Sequence, residues 1–272
     1  MRSSHLVQSG SASLAVESIG TGHPVIFLHA NVADSRMWHA QMESIGTGNM
    51  AIAYDRRGFG KTVTGPERFS AVSDLMAVID AISDGTPATL VGCSRGGRVA
   101  IDAALHYPDR FHALVLIAPS VSGFPAATNP PEIEDLMQHA SEIEETGDLD
   151  QVNAVKARIW LDGPLGAEGR VEGDARRLFL DMNGIALRLA ADTKAEIETA
   201  PAYHRLSEIA MPTLVISGDL DFPFIQDRSR HIAEAVRNGS HHEISGTAHL
   251  PSLERPAEIT ELLTGFISAN RT

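Results

Sequence analysis

A serine hydroxyl is a poor nucleophile until the backbone forces it into the open and a base takes its proton. The stretch Leu90-Val91-Gly92-Cys93-Ser94-Arg95-Gly96-Gly97 has the composition for the first requirement. An apolar run stops at Gly92, Ser94 has a glycine two positions away on either side, and a small-residue helical pattern begins at Arg95. G-x-S-x-G between a strand and a helix is the spacing of a nucleophile elbow, where any Cβ at the flanking positions would meet neighbouring backbone. The following helix aims its first N–H groups at an oxygen that turns negative during acyl transfer. The competing reading is a tight strand–helix turn with a capping serine. A phosphate-cradling loop fits less well, because no Lys-Ser/Thr follows.

Such a serine needs a base, and the base an orienting acid. On an open α/β sheet these follow the serine in the order acid, then histidine. Asp219-Leu220-Asp221 follows the apolar run Thr213–Gly218, and Gly246-Thr247-Ala248-His249 follows the run around His242–Ser245. Both lie just past the carboxyl ends of strands, where open α/β sheets collect their sites.

The elements that must position these residues are legible as patterns. His5–Gln8 and Ala12–Ser18 read as a hairpin about Ser9-Gly10-Ser11. Pro24–His29, Met50–Tyr54, Ala88–Cys93, Ala113–Ala118 and Thr213–Gly218 are short continuous apolar runs, the mark of buried parallel strands. Ser70 reads as the N-cap of a helix through Ala81, with Val72, Leu75, Met76 and Ile79 on one stripe, and Arg95–Tyr107 as a helix closed by Pro108. Strands alternating with helices predict an α/β fold, a mostly parallel sheet covered on both faces. The alternation breaks over residues 121–205. Helical patterns there (Ile133–Ile143, Val152–Trp160, Ala175–Met182) predict a helical cap inserted into a core of residues 1–120 and 206–272. Ala175, Leu178, Phe179 and Met182 share one face of their helix, buried against the rest of the cap or against the site, and Trp160 and Leu161 carry the same two readings.

The bulk numbers exclude several classes. With 22 Lys plus Arg against 35 Asp plus Glu, the formal charge of −13 disfavours nucleic acid and offers anionic membranes no polybasic handle. Cys93 is the single cysteine, so no intramolecular disulfide can form. No signal-like h-region and no run of membrane-spanning length is present, which predicts a cytoplasmic protein. His241 and His242 would point to opposite faces of a strand, and no H-E-x-x-H spacing occurs, so no metal and no cofactor is expected.

The chain resembles the α/β-hydrolase fold superfamily, in the branch of small capped esterases, lactonases and carbon–carbon bond hydrolases. The resemblance rests on "VIFLHAN" with Trp38, "YDRRGFGKT" at 54–62, "GCSRGG" at 92–97, "PTLVISGDLD" at 212–221 and "GTAHLPSLERP" at 246–256, in the family's order. It implies Ser94 as nucleophile, His249 as base and Asp221, the last residue of G-x-x-D, as acid, with Asp219 left to capping. It also implies an oxyanion hole from the backbone N–H groups of Arg95 and Asn31. The family's usual His-Gly is His29-Ala30 here, and alanine restricts the turn that aims the Asn31 amide. Asn31 and Arg95 are the candidate substrate-binding residues, although the Arg95 side chain is expected to point to solvent. His29 is expected to bond backbone, Cys93 to fill the core, and the Asp55–Gly60 turn to be architecture. A sister group with an aspartate nucleophile is excluded by Ser94. The implied activity is hydrolysis of a small, largely apolar ester or lactone by a monomer or homodimer. Carbon–carbon hydrolysis of a β-diketone-like acid and a triad-bearing ligand sensor stay open as alternatives.

Overall fold

In the computed structural model, which describes residues 2–126, 128–189 and 195–270, eight strands form one sheet. They are β1 (Arg2–Ser9), β2 (Ala12–Ile19), β3 (Pro24–Leu28), β4 (Met50–Tyr54), β5 (Ala88–Cys93), β6 (Phe111–Ile117), β7 (Thr213–Gly218) and β8 (Gly239–Ile244). Their order is β1-β2-β4-β3-β5-β6-β7-β8. The first two strands run antiparallel and the other six are parallel, the α/β class expected.

Period-two alternation divides the strand side chains between two apolar layers. Ile26, Leu28, Leu90, Leu114 and Leu116 join one, with Val72, Leu75 and Ile79 of α2 (Ala71–Ile82) and Val99 and Ala103 of α3 (Arg95–His106). Val25, Phe27, Val91, Val115 and Ile117 join the other, with Met42 and Ile45 of α1 (His39–Ile45). Burial on both faces explains why these strands read as continuous apolar runs. The Ser70 hydroxyl accepts from the Ser73 N–H at 3.3 Å, the cap expected for α2.

The chain reverses its direction of travel across the sheet at β3, so the carboxyl ends of β3 and β5 flank the topological switch point. Register then decides which loops meet. Leu28 pairs with Gly92, which sets the His29–Asn31 loop beside Ser94. Gly218 pairs with Ile244, which sets the Asp219 loop beside Ser245 and the residues leading to His249.

Between β6 and β7 lie α4 (Pro131–Thr146), α5 (Leu149–Ala157), a π-helical turn at Arg158–Asp162 and α6 (Gly173–Leu189). The expected cap range also contains residues 127 and 190–194, which lie outside the described residues. Trp160 falls on the π turn and not on a regular helix, since the helix read as Val152–Trp160 ends at Ala157. After β7 come α7 (Pro223–Ala235), α8 (Pro251–Glu254) and α9 (Pro256–Ala269); α1, α7 and α9 had not been placed from the sequence. Each of the last three opens with proline, whose fixed φ and missing N–H suit a first helical position. No helix among the described residues is long and apolar enough to cross a membrane.

Helix α3 approaches β3 so closely that a Cβ on Gly96 would lie 2.2 Å from the Leu28 carbonyl oxygen. Helix propensity alone would make Gly96→Ala stabilising by up to ~1 kcal/mol. A backbone oxygen cannot rotate out of the way, so overpacking should win and cost about 1–3 kcal/mol. Urea unfolding should show a lowered midpoint for Gly96→Ala; a raised one would mean that the contact relaxes freely.

Candidate active site

Ser94 sits at the β5–α3 junction with φ 53° and ψ −114°. A positive φ at a residue with a Cβ costs of order 1–3 kcal/mol and persists only where the surroundings over-determine it. They do so here. The Ser94 N–H donates to the Ile117 carbonyl at 2.9 Å. Its own carbonyl accepts from the Arg98 N–H at 3.1 Å and the Ser120 N–H at 3.0 Å, and from the Ser120 hydroxyl at 3.1 Å. Ala118, at the end of the neighbouring strand, is the other non-glycine residue with positive φ among those described. Ala30 is not among them, so its methyl group puts no left-handed strain into the loop carrying Asn31.

Asp221 and His249 are brought together. Both are buried, and His249 Nδ1 lies 2.7 Å from Asp221 Oδ2. A carboxylate accepts, so the shared proton belongs to Nδ1. The other carboxylate oxygen accepts from the Phe222 N–H at 2.8 Å. The Cys93 thiol approaches the His249 carbonyl at 3.7 Å, which lays the histidine loop along the residue before Ser94. That thiol is pushed up by burial and, second, by the charge of Asp221, so it stays protonated. The Trp160 ring lies 4.7 Å from the His249 ring and 5.3 Å from that of Phe222.

Asp219 does a different job. It accepts from the Gly246 N–H at 2.7 Å and the Ser245 hydroxyl at 2.9 Å, pinning the histidine loop to the β7 loop. Gln226 donates to the carbonyls of Asp219 at 3.0 Å and Asp221 at 2.8 Å, fixing the backbone of this loop. Glu254 receives the Ala248 N–H at 3.0 Å. Arg170 then ties the histidine loop to the helical segment, donating to Gly246 O at 2.8 Å, Leu161 O at 2.9 Å and Glu254 at 2.5 Å. Of these braces Asp219 and Glu254 fall inside the quoted "GDLD" and "LERP" runs, whereas Gln226 and Arg170 left no trace in the sequence.

His29 makes backbone bonds, with Nδ1–H donating to Ala30 O at 2.7 Å and Nε2 accepting from the Arg56 N–H at 3.0 Å. Burial, aided by the charge of Arg56, lowers its pKa well below the ordinary imidazole value, so it stays neutral. Asn31 is exposed, and its Oδ1 accepts from Arg56 Nη2 at 2.8 Å. The Arg95 side chain corrects the sequence expectation. It is 18% exposed and paired with Glu196 at 2.6 Å, because the chain leaving the helical segment bonds to Phe69 and delivers that carboxylate. A cavity of about 1220 Å³ runs past the elbow, touching it through Asn31 and Arg95. Among the described residues no cluster of three or more His, Cys, Asp or Glu has metal-binding geometry. Phe179, Met182 and Leu161 are wholly buried within the layer that holds Phe27 and Trp38, so they are packing, whereas half-buried Trp160 meets His249.

A family model described as the alpha/beta hydrolase family matches residues 25–262. The chain belongs to the α/β-hydrolase family. It is similar to an epoxide hydrolase of Caballeronia sordidicola, 28% identical with 96% of this chain and 92% of that one covered. It is also similar to 3-oxoadipate enol-lactonase 1 of Acinetobacter baylyi, 19% identical with 96% and 95% covered. A solved thermophilic esterase from Thermogutta terrifontis superimposes with a TM-score of 0.76 at 23% identity, covering 100% of both chains. This α/β-hydrolase thus shares its fold across chains bearing different activities, and its own activity must be argued from its site.

The two aspartates should separate by mutation. Asp221→Asn should lower kcat by about 10⁴, because a side-chain NH₂ opposite Nδ1 forces the imidazole into the wrong tautomer. Asp219→Asn keeps an acceptor for Gly246 and should cost less than about tenfold. Steady-state ester hydrolysis reads both, and the reverse order would hand the acid's role to Asp219.

Proposed function

We propose that this α/β-hydrolase is a serine hydrolase of a small carboxylic ester or lactone, working through an acyl-enzyme on Ser94. The observation that carries the reading is the buried Asp221–His249 hydrogen bond of 2.7 Å, set on a loop that runs against Cys93 beside the strained elbow. In this reading Ser94 Oγ attacks the acyl carbon while His249 Nε2 takes its proton. Asp221 holds the imidazole tautomer and stabilises the imidazolium. The N–H groups of Arg95 and Asn31 receive the oxyanion, the first with the α3 dipole behind it. The imidazolium then protonates the leaving alcohol. Water, activated by the same histidine, cleaves the acyl-enzyme and frees Ser94. No step calls on a cofactor.

Elementary chemistry favours acyl transfer over epoxide opening at this nucleophile. Serine attack on an epoxide carbon gives an ether that water does not readily cleave, whereas attack on an acyl carbon gives an ester that the same machinery hydrolyses. Residues 121–205 are assigned the part of a cap. Trp160 is its contact with the base, and Trp160, Phe222, Ile133 and Ile159 share an apolar cluster suited to the acyl or alcohol part of the substrate.

A fluorophosphonate should add one mass to the peptide carrying Ser94 and none to the Ser94→Ala protein, as read by peptide mass spectrometry. Labelling that persists in Ser94→Ala would count against the reading.

A further inference from the structure

The 1220 Å³ cavity beside the elbow is lined by three arginines that are at least half-buried: Arg56, Arg57 and Arg95. Two of them are matched by carboxylates. Arg57 bonds Asp74 at 2.8 Å and Glu67 at 2.6 Å, and Arg95 bonds Glu196 at 2.6 Å. Arg56 is not matched. Its only side-chain hydrogen bond among the described residues is the one from Nη2 to the neutral Asn31 amide, and its guanidinium lies 4.8 Å from the centre of the Phe59 ring. Its Nε and the hydroxyl of Tyr54 are both enclosed by protein and have no partner among the described residues. Burial lowers the Arg56 pKa to about 10, with the charge of Arg95 acting the same way and Glu196 opposing, so the group is still a cation at neutral pH.

A residue 8% exposed that carries a charge without a counter-charge is unfavourable unless something brings one. Arg56 lines the cavity, and a guanidinium presents a planar fork suited to carboxylate. Glu196 is held in the ion pair with Arg95, and among the described residues no carboxylate bonds to Arg56. The cavity also starts where chemistry is proposed to happen, at Asn31 and at the residue after Ser94.

We infer that Arg56 binds a carboxylate carried by the substrate, so that the ester or lactone belongs to an acyl compound with a second, ionised carboxyl group. Resting on the hydrolase reading above, this names a substrate class for it. The Arg56 guanidinium is the donor, and the Asn31 side chain holds it toward the oxyanion loop.

The test uses the whole chain and matched probes: the monomethyl esters of succinic, glutaric and adipic acid, each against the methyl ester whose free carboxyl is replaced by a carboxamide. The unaltered protein should prefer at least one monoanion by about tenfold or more in kcat/KM, the preference lying in KM. Arg56→Met should lower that anion-to-amide ratio by about 10–100-fold, and Arg56→Lys should restore part of it. No preference in the unaltered protein, or a ratio that Arg56→Met leaves alone, overturns the inference. Calorimetry of the preferred monoanion with the Ser94→Ala protein, with and without Arg56→Lys, reads binding without turnover. Binding that weakens in Arg56→Lys with no ester ever hydrolysed would keep the carboxylate site and sink the hydrolase. Esters turned over without regard to the second charge would do the opposite.

Discussion

Taking a carboxylate out of water is tolerable only when its oxygens find donors, and Asp221 has no exposed surface. Its donors are the Phe222 N–H and the His249 Nδ1–H. One of the two is therefore a side chain 28 residues away on another loop, and the folded state must keep that loop in place. Much of the architecture at this edge of the sheet serves that end. Asp219 holds Ser245 and Gly246, Glu254 holds Ala248, and Leu220 N–H donates to Thr247 O at 2.9 Å. The histidine is positioned before any substrate arrives, so the proton transfer proposed for it needs little reorganisation.

The Ser94 side of the site is fixed by a different force. Ser94 and Ala118 store backbone strain at the ends of adjacent strands, and hydrogen bonds from α3 and from Ser120 keep the elbow in that conformation. The helical segment is coupled to both halves. Arg170 reaches from it to the histidine loop, and Trp160 packs on the imidazole. A movement of the segment would thus be felt at His249, the proposed base, which gives the proposed cap a part in positioning as well as in selection.

What was legible in the sequence follows from range. Continuous apolar runs mark strands buried on both faces, and the glycines around Ser94 mark a close approach, because both are local consequences of packing. The positions of Asp221 and His249 were legible once strand ends were known, since loops at one sheet edge must converge. Arg170 and Gln226 were not, because a long polar side chain bonding to carbonyls imposes no pattern on its neighbours. Arg95 was misjudged for a related reason. A side chain at a helix start faces solvent by default, and only the distant pairing of Phe69 with the chain around Glu196 brings a carboxylate over it. The solitude of Arg56 was invisible as well: Arg56 and Arg57 are adjacent in sequence, and only the fold gives Asp74 and Glu67 to the second.

The central claim is that Ser94 carries the acyl group between two half-reactions. Acid-quenching the enzyme within milliseconds of mixing with a p-nitrophenyl ester, then mapping the acyl mass by peptide mass spectrometry, tests it most directly. The acyl group should be found on the peptide containing Ser94, formed as p-nitrophenolate is released and lost later as the free acid. An acyl group on any other residue, or turnover with Ser94 never modified, would contradict it.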